Sequence, residues 1–241
     1  MAQGGWRKPD DPERPVKGHP VFAAFSDLRL WPRGWSELWR RRVALVQDAE
    51  GRILDLGVGN GLNFECYRRA AWVVGVDPDP CMLRRAVPRR AAAAVKGALL
   101  LAAAEALPFP PATFDTVVAT LVLCTVQDPA AALREVRRVL RPGGALRFLE
   151  HVRAPSPGLA AFQDRIQPLW SRLFAGCHPN RDTLSTIRAG GFAVEALEVA
   201  KRGLLIHGIA RAASEAQPPF ASLPGAGGGR APKTPGRSAA P

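Results

Sequence analysis

"ILDLGVGNGLNFECY", residues 53–67, leads from an apolar run directly into three glycines at alternate positions. A buried strand that ends in a glycine-rich turn and opens a helix is typical of nucleotide-binding α/β proteins. The glycines let a ligand lie against the backbone, and the helix start offers unpaired N–H groups. Leu62 stands where the dehydrogenase pattern GxGxxG has its third glycine. Asp55, two residues before Gly57, favours a cationic ligand over a diphosphate. The stretch therefore predicts a nucleotide-type site for a cationic ligand, with a plain tight turn as the alternative.

Two later segments add polar groups at the ends of the next two predicted strands. "VVGVDPDP" ends its strand in Asp77, whose carboxylate can accept hydrogen bonds from both ribose hydroxyls, whereas Asp79 reads as an acid of a surface turn. Ala104 and Glu105 follow the third strand, where a backbone N–H and a short side chain can read an adenine. Contacts at three successive strand ends converge where a doubly wound sheet binds its ligand. The combination predicts S-adenosylmethionine (SAM) as cofactor.

Short apolar strands alternate with helical patterns, which predicts a Rossmann-like, doubly wound α/β fold with a mostly parallel sheet. The helix "DPAAALREVRRVLRPGG" is expected to be capped by Asp128 and stopped by Pro142–Gly144. Only "KRG" joins the last two strands, too short for a crossover, so they are expected to form an antiparallel hairpin at the sheet edge. The predicted strands are 52–58, 72–77, 97–103, 114–123, 144–152, 192–200 and 204–212.

The 241 residues suffice for one domain, predicted to span residues 21–212. Residues 1–20 and 213–241 are rich in Pro, Gly and Ala without apolar periodicity and are predicted to be disordered. No apolar run reaches the ~20 residues of a membrane span, and no secretion signal is visible, so a cytoplasmic location is expected.

Charge and cysteine content make three classes of function less favoured without excluding them. The net charge is +12, yet only five of the 33 basic residues are lysines and the arginines are spread along the chain, which disfavours a dedicated nucleic-acid surface. The cysteines form no CxxC pair, which disfavours a zinc site or a disulfide framework. They are Cys66, Cys81, Cys124 and Cys177.

Over residues 20–212 the chain resembles class I SAM-dependent methyltransferases, through "ILDLGVGNG", "VVGVDPDPCML", "AEALPFPPATFDTVV" and "EVRRVLRPGGALRFLEHV". It is similar in detail to the methyltransferase-like subgroup that includes membrane-associated thiol S-methyltransferases, through "GLNF", "TLVLCTVQDP", "EHV" and "GCHPNRDT". Related domains occur among quinone and lipid methyltransferases. Two positions depart from the wider pattern: Ala103 stands where an Asp is frequent, and Asn60 where threonine is frequent. The hydrophobic N-terminal anchor of the vertebrate thiol enzymes is not seen.

The resemblance implies a seven-stranded sheet, SAM as cofactor and a small, hydrophobic acceptor, with a thiol as first choice and a quinone or lipid next. An RNA methyltransferase is an alternative, although "LCTVQDP" replaces the Asn-Pro-Pro-Tyr-type loop expected there. A non-catalytic SAM-binding regulatory subunit is a second alternative. The expected cofactor-binding residues are Asp55, Gly57, Gly59, Asn60, Gly61, Asp77, Pro78, Ala104, Glu105 and Leu121.

Methyl transfer needs a nucleophile ~3 Å from the methyl carbon, in line with the departing sulfur. A thiol is already partly ionised at neutral pH, whereas a hydroxyl or a carbon acid needs a base. His151, beside Glu150 at the end of the fifth strand, is a candidate catalytic residue. His178 in "GCHPNRDT" is a second candidate or a structural turn residue. Cys124 is expected to be a small buried filler.

Residues 31–42 allow two interpretations. Trp31, Trp35 and Trp39 recur every four residues and Arg40–Arg42 follow, so that on a helix the indoles share one side. Such a helix can pack over the sheet and close the cofactor pocket, or it can touch a lipid surface with its indoles and arginines. The first interpretation is favoured, and peripheral membrane contact is the alternative.

Overall fold

The computed structural model describes residues 18–27 and 37–212, and the predicted tails lie outside this range apart from residues 18–20. Seven strands form one sheet in the order β3-β2-β1-β4-β5-β7-β6. The first five pair in parallel, and β7 runs antiparallel to both β5 and β6, which confirms the predicted fold class and hairpin. The strands are β1 (Glu50–Leu56), β2 (Arg69–Asp77), β3 (Gly97–Leu101), β4 (Phe114–Thr120), β5 (Leu140–His151), β6 (Phe192–Ala200) and β7 (Leu205–Ala212).

Helices cover both faces of the sheet, as the alternation of neighbouring strand residues shows. Ile53 packs in a cluster with Val46, whereas Leu54 packs in a larger cluster with Leu133 on the opposite face. The fold is therefore doubly wound, as the sequence predicts. The helices are α1 (Pro20–Asp27), α2 (Glu37–Val46), α3 (Pro80–Ala92), α4 (Pro129–Val139), α5 (Pro157–Leu173) and α6 (Thr183–Ala189), with 3₁₀ turns at Leu62–Glu65 and Lys201–Gly203.

Aspartates cap three of these helices. Asp128 accepts from the N–H of Ala131 at 2.9 Å, which confirms its predicted cap. Asp182 likewise caps α6. Asp79 is no surface acid: it is 8% exposed and accepts from the N–H of Cys81 at 2.7 Å as the cap of α3.

The structure corrects two local predictions. The glycine turn opens only the 3₁₀ turn Leu62–Glu65, within the twelve residues 57–68 that join β1 to β2, a connection at the lower limit for a crossover helix. Helix α4 ends at Val139 rather than at the Pro-Gly-Gly sequence, and Leu140 is already extended (φ −72°, ψ 139°). The residue before a proline avoids helical backbone, so Pro142 acts on the chain ahead of it and β5 begins before the glycines.

Of the segment 31–42, the structure describes only the part that begins at Glu37, so Trp31 and Trp35 lie outside the described residues. Trp39 packs against the cluster that contains Ile53 and Val46. Arg42 points inward, where its Nη1 donates to Thr120 Oγ1 at 2.8 Å. These contacts support the interpretation of α2 as a helix packed on the sheet. No helix within the described ranges combines the length and the apolarity that a membrane crossing requires.

Candidate active site

The glycine turn after β1 is left-handed at all three glycines, with φ of 59° at Gly57, 55° at Gly59 and 83° at Gly61. A Cβ on Gly57 would lie 2.4 Å from Val122 Cγ2, so this glycine is required by packing. At Gly59 the nearest atom is the flexible end of Met82, at 3.2 Å. The turn therefore presents open backbone at Gly59, where a ligand can approach.

Asp77 joins the end of β2 to this turn. Its Oδ2 accepts from the N–H of Gly59 at 2.9 Å, and its Oδ1 accepts from the N–H of Asp79 at 2.8 Å. Burial raises the pKa of Asp77 to about 6, against the lowering effect of these two N–H donors. Each carboxylate oxygen accepts two hydrogen bonds, so both keep capacity for a ligand hydroxyl.

Asp55 lies fully buried at the end of β1. Its Oδ1 accepts from Asn63 Nδ2 at 2.8 Å, while its Oδ2 is buried without a hydrogen-bond partner among the described residues. Burial raises the pKa of Asp55 to about 7, and the bond from Asn63 opposes this rise. Arg42 completes the cluster, with Nη1 2.5 Å from Asn63 Oδ1. Asn63 lies in "GLNF", which the sequence analysis used only as a point of family resemblance. Arg42 was not predicted as part of this cluster, because no local sequence feature shows that α2 lies under the glycine turn.

The segment after β4 carries a strained residue. Leu121 has φ 62°, a left-handed conformation that is rare for a residue other than glycine, and its N–H donates to Leu149 O at 2.7 Å. This turn ends β4 at Thr120, three residues before the predicted end. Strain of this kind collects at functional sites, and Leu121 lies at the carboxyl edge of the sheet beside the glycine turn.

Glu150 holds that segment in place. Its carboxylate, fully buried, accepts from the N–H groups of Val122, Leu123 and Cys124 at 3.0, 2.9 and 3.1 Å. Burial raises the pKa of Glu150, and the three N–H donors act in the opposite direction. A carboxylate occupied in this way anchors the backbone between β4 and α4 rather than offering a free base.

The side chains of Ala104 and Glu105, the predicted adenine-reading pair, contact other residues of the protein. Ala104 is buried in the larger core cluster, and Glu105 Oε1 accepts from the N–H of Gln127 at 3.0 Å, just before α4. Pro78 is half-buried between the two aspartates that follow β2, and the carbonyl oxygen of Asn60 accepts from Arg89 Nη1 at 2.7 Å. A role of these residues in cofactor binding stays a prediction.

His151, the last residue of β5, lies against two cysteines. Its Nδ1 is 3.7 Å from Cys177 Sγ, which is 3.6 Å from Cys124 Sγ. Burial lowers the pKa of His151, but Cys124 and Glu150 raise it by more. The hydrogen bond from Cys177 and then burial raise the pKa of Cys124, so its thiol stays protonated, consistent with the predicted filler role.

His178 is hydrogen-bonded to the segment that follows β4. Its backbone N–H donates to Cys124 O at 2.7 Å, and its Nδ1 accepts from Gln167 Nε2 at 2.6 Å. Burial and then the charge of Arg181 lower the pKa of His178, so its ring is neutral with the proton on Nε2. Arg181 Nη1 donates to the carbonyl oxygens of Leu123 and Val126 at 2.9 and 2.6 Å. In this state His178 can donate a hydrogen bond to a substrate through Nε2, but its Nδ1 cannot act as a base because it already accepts from Gln167.

Comparisons with known proteins agree with this geometry. A methyltransferase-domain family matches residues 54–148. Thiol S-methyltransferase TMT1B of Rattus norvegicus is 35% identical over 168 residues, which cover 66% of this chain and 69% of the relative. Phosphatidylethanolamine N-methyltransferase of Cereibacter sphaeroides is 38% identical over 132 residues, covering 53% of this chain and 64% of the relative. The crystal structure of a SAM-dependent methyltransferase of Mesorhizobium loti shares the fold, with a TM-score of 0.58 at 23% identity, covering 75% of this chain and all of that one.

A seven-stranded sheet of this order, with a glycine turn after β1 and a buried aspartate ending β2, defines the class of SAM-dependent methyltransferases. The cofactor is SAM. Within that class, the chain belongs to the methyltransferase family that also contains the rat thiol S-methyltransferase.

The residues present fit SAM. Asp55 Oδ2 is buried without a hydrogen bond of ordinary geometry, although the Tyr67 hydroxyl lies close enough to lower its pKa, so a carboxylate faces the turn for the positively charged end of the cofactor. Asp77 keeps capacity for two ribose hydroxyls. Gly59 lies in the turn between them, where the nearest side chain is the flexible end of Met82. These three residues lie on two adjacent parallel strands and the turn that follows the first, so one extended ligand can span them.

Proposed function

We propose that this methyltransferase methylates the sulfur of a small, hydrophobic thiol. The observation that carries the proposal is that a carboxylate and an imidazole nitrogen at the carboxyl edge of the sheet, which could otherwise take a proton from an acceptor, are already engaged. Glu150 binds three backbone N–H groups, and His178 Nδ1 accepts from Gln167. A thiol, with a pKa of ~8.5 when free, is partly ionised at neutral pH and does not require a strong base.

SAM supplies a methyl group on a positively charged sulfur that leaves as a neutral thioether. Asp77 and the Gly59 backbone hold the nucleoside portion, and Asp55 holds the cationic portion. The segment 121–124 forms the wall beside the methyl group. Glu150 binds three of its N–H groups, and Arg181 binds the carbonyl oxygen of Leu123, so the wall is held in place before substrate arrives. A fixed wall contributes by orientation and by exclusion of water, which are the main needs of an in-line displacement.

The likeness to a thiol S-methyltransferase supports sulfur as the methylated atom. The likeness to a phosphatidylethanolamine N-methyltransferase keeps a lipid amine as the second candidate, since it has similar identity over a shorter stretch. An amine that is charged at neutral pH must lose a proton before it attacks, so this candidate requires a base, and His151, whose pKa is raised, is the described residue that could supply it.

The test incubates the purified full-length protein with SAM and one acceptor at a time: an aliphatic thiol, an aromatic thiol, a demethylated quinone or phosphatidylethanolamine vesicles. Mass spectrometry of the products identifies the methylated atom. We expect an S-methyl thioether that disappears in Asp77→Asn and persists in Glu195→Gln, whose carboxylate lies on the exposed hairpin and pairs with Arg211. Methylation of only the quinone or the lipid contradicts the thiol assignment. SAM binding without any product favours a non-catalytic subunit.

A further inference from the structure

Three residues that are distant in sequence meet at the carboxyl edge of the sheet. Cys124 follows β4, His151 ends β5 and Cys177 lies in the turn after α5. Their ligand atoms, two Sγ and one imidazole nitrogen, all lie within 4.8 Å of one another. Within residues 18–27 and 37–212, no other group of three His, Cys, Asp or Glu side chains is close enough to hold a metal ion.

The distances match the edges of a tetrahedral zinc site. With Zn–S bonds of about 2.3 Å and a Zn–N bond of about 2.0–2.1 Å, two sulfurs lie about 3.8 Å apart and a sulfur and a nitrogen about 3.6 Å apart. Here the Cys124 and Cys177 sulfurs are 3.6 Å apart, and Cys177 Sγ is 3.7 Å from His151 Nδ1. Two of the three distances between ligand atoms therefore match a tetrahedral zinc site, and the third, between Cys124 Sγ and the His151 ring, is within 4.8 Å. A disulfide, by contrast, requires the sulfurs to approach to about 2.05 Å.

The surroundings hold the three ligands in place. Cys124 is fixed on both sides of its Cα, because its N–H donates to Glu150 and its carbonyl accepts from the N–H of His178. The carbonyl of His151 accepts from Thr183 Oγ1. Cys124 is fully buried and Cys177 is 6% exposed, whereas His151 is half-buried. The site is therefore preorganised, and His151 is its most exposed ligand.

We propose that Cys124, Cys177 and His151 bind a zinc ion, and that the acceptor thiol occupies the fourth position. The zinc site stands on the geometry alone, whereas the position of the acceptor thiol rests on the proposed function. Three protein ligands with one open position, including a Cys₂His set, are the arrangement of catalytic rather than structural zinc sites. The open position would lie at the same edge of the sheet as the glycine turn and Asp77, where the methyl group arrives.

The chemistry balances without an oxidant. On metal uptake, Cys124 and Cys177 each release a proton to solvent and form a zinc–sulfur bond. The acceptor R–SH then loses its proton to solvent as its sulfur binds zinc, because a coordinating thiol is deprotonated. The lone pair of that sulfur forms the new bond to the methyl carbon while the carbon–sulfur bond of the sulfonium breaks, and zinc stays Zn²⁺ throughout.

The metal site is tested with Co²⁺ alone, added to the metal-free full-length protein under reducing conditions. We expect one equivalent to bind with the charge-transfer absorption of cobalt thiolates and the visible bands of a tetrahedral ion. Cys177→Ser and His151→Ala are expected to lose the tetrahedral spectrum, and Cys66→Ser, a buried cysteine outside the cluster, is expected to keep it. SAM titration of each variant shows which ones retain a folded cofactor site. Binding of less than one equivalent, or an unchanged spectrum in Cys177→Ser, overturns the site.

The acceptor position is tested on the cobalt protein without SAM. An aliphatic thiol is expected to intensify the thiolate charge-transfer band, because a third sulfur joins the two cysteines. Absence of that change, or full thiol methylation by metal-free protein, overturns the second half of the proposal. Cobalt binding with no thiol methylation under any condition leaves the metal site standing and refutes the proposed function, so the two failures are distinguishable.

Discussion

Asp77 Oδ2 accepts a hydrogen bond from the backbone N–H of Gly59 at 2.9 Å, which joins the end of β2 to the glycine turn after β1. The two residues are 18 apart in sequence. Their bond places the carboxylate that is predicted to receive the ribose directly beside the backbone of the glycine turn. The same carboxylate has its pKa raised by burial to about 6, so the cofactor site contains a group that titrates just below neutrality.

SAM affinity is expected to fall in mild acid. Protonated Asp77 accepts fewer hydrogen bonds, so with a pKa of about 6 the dissociation constant rises about tenfold from pH 7 to pH 5. Asp55, with a pKa of about 7, changes the affinity in the same direction. Calorimetric titration across this range measures the effect.

The Asp77→Asn variant is expected to bind SAM about 100-fold more weakly at pH 7.5, since it loses charge-assisted hydrogen bonds of about 1.5–3 kcal/mol each. The pH dependence of its SAM affinity is expected to be shallower. An affinity independent of pH between 5 and 7 contradicts the role of both aspartates.

Gly57→Ala and Gly59→Ala are expected to differ although both glycines are left-handed. The new Cβ at position 57 would lie 2.4 Å from Val122, so the variant loses about 2–3 kcal/mol of unfolding free energy. At position 59 only the flexible end of Met82 is close, so the main cost is backbone strain of about 1 kcal/mol. Urea denaturation measures stability and SAM titration measures affinity. We expect Gly59→Ala to fold and to bind SAM at least tenfold more weakly; equal stability losses would refute the distinction.

Asp55→Asn is expected to stabilise the SAM-free protein at alkaline pH while weakening cofactor binding. Burial raises the pKa of Asp55 from 3.8 to about 7, so ionisation is less favourable in the folded than in the unfolded chain. The destabilisation is absent below pH 4, grows as pH rises to 7 and is complete above it. The melting temperature of the variant should exceed that of the wild type at pH 8, and the difference should shrink as the pH falls from 7 to 4. The two proteins should converge near pH 4. A wild type that is the more stable at pH 8 would contradict the prediction.

Glu150→Gln is expected to be costly although the side chains are equal in size. The carboxylate accepts from three backbone N–H groups, whereas a glutamine has one acceptor oxygen and would turn its NH₂ toward at least one donor. Leaving a buried N–H unsatisfied costs about 1–3 kcal/mol. Thermal unfolding measures this loss, and turnover is expected to fall with it because the segment 121–124 loses its anchor. Glu195→Gln, on the exposed hairpin, serves as control and should change stability by less than about 0.5 kcal/mol.

The sequence alone determined the sheet, the hairpin and the cofactor. Local rules were sufficient there: glycines at alternate positions, an apolar strand that ends in an aspartate, and a three-residue link too short for a crossover. Asp55, Gly59 and Asp77 were predicted in this way because the features that mark them lie within a few residues, and the structure places them on two adjacent strands and the turn between them. The end of α4 was misplaced because the effect of Pro142 reaches the residues before it.

Only the tertiary structure decided which side chains meet at the carboxyl edge of the sheet. Arg42 reaches Asn63 under the glycine turn, and Glu150 binds the N–H groups of a segment 26–28 residues away. Cys124 and Cys177 are 53 residues apart, and no spacing rule pairs them. Parallel strands bring their carboxyl ends to one edge whatever their separation along the chain, so side chains that carry no local signal become neighbours there.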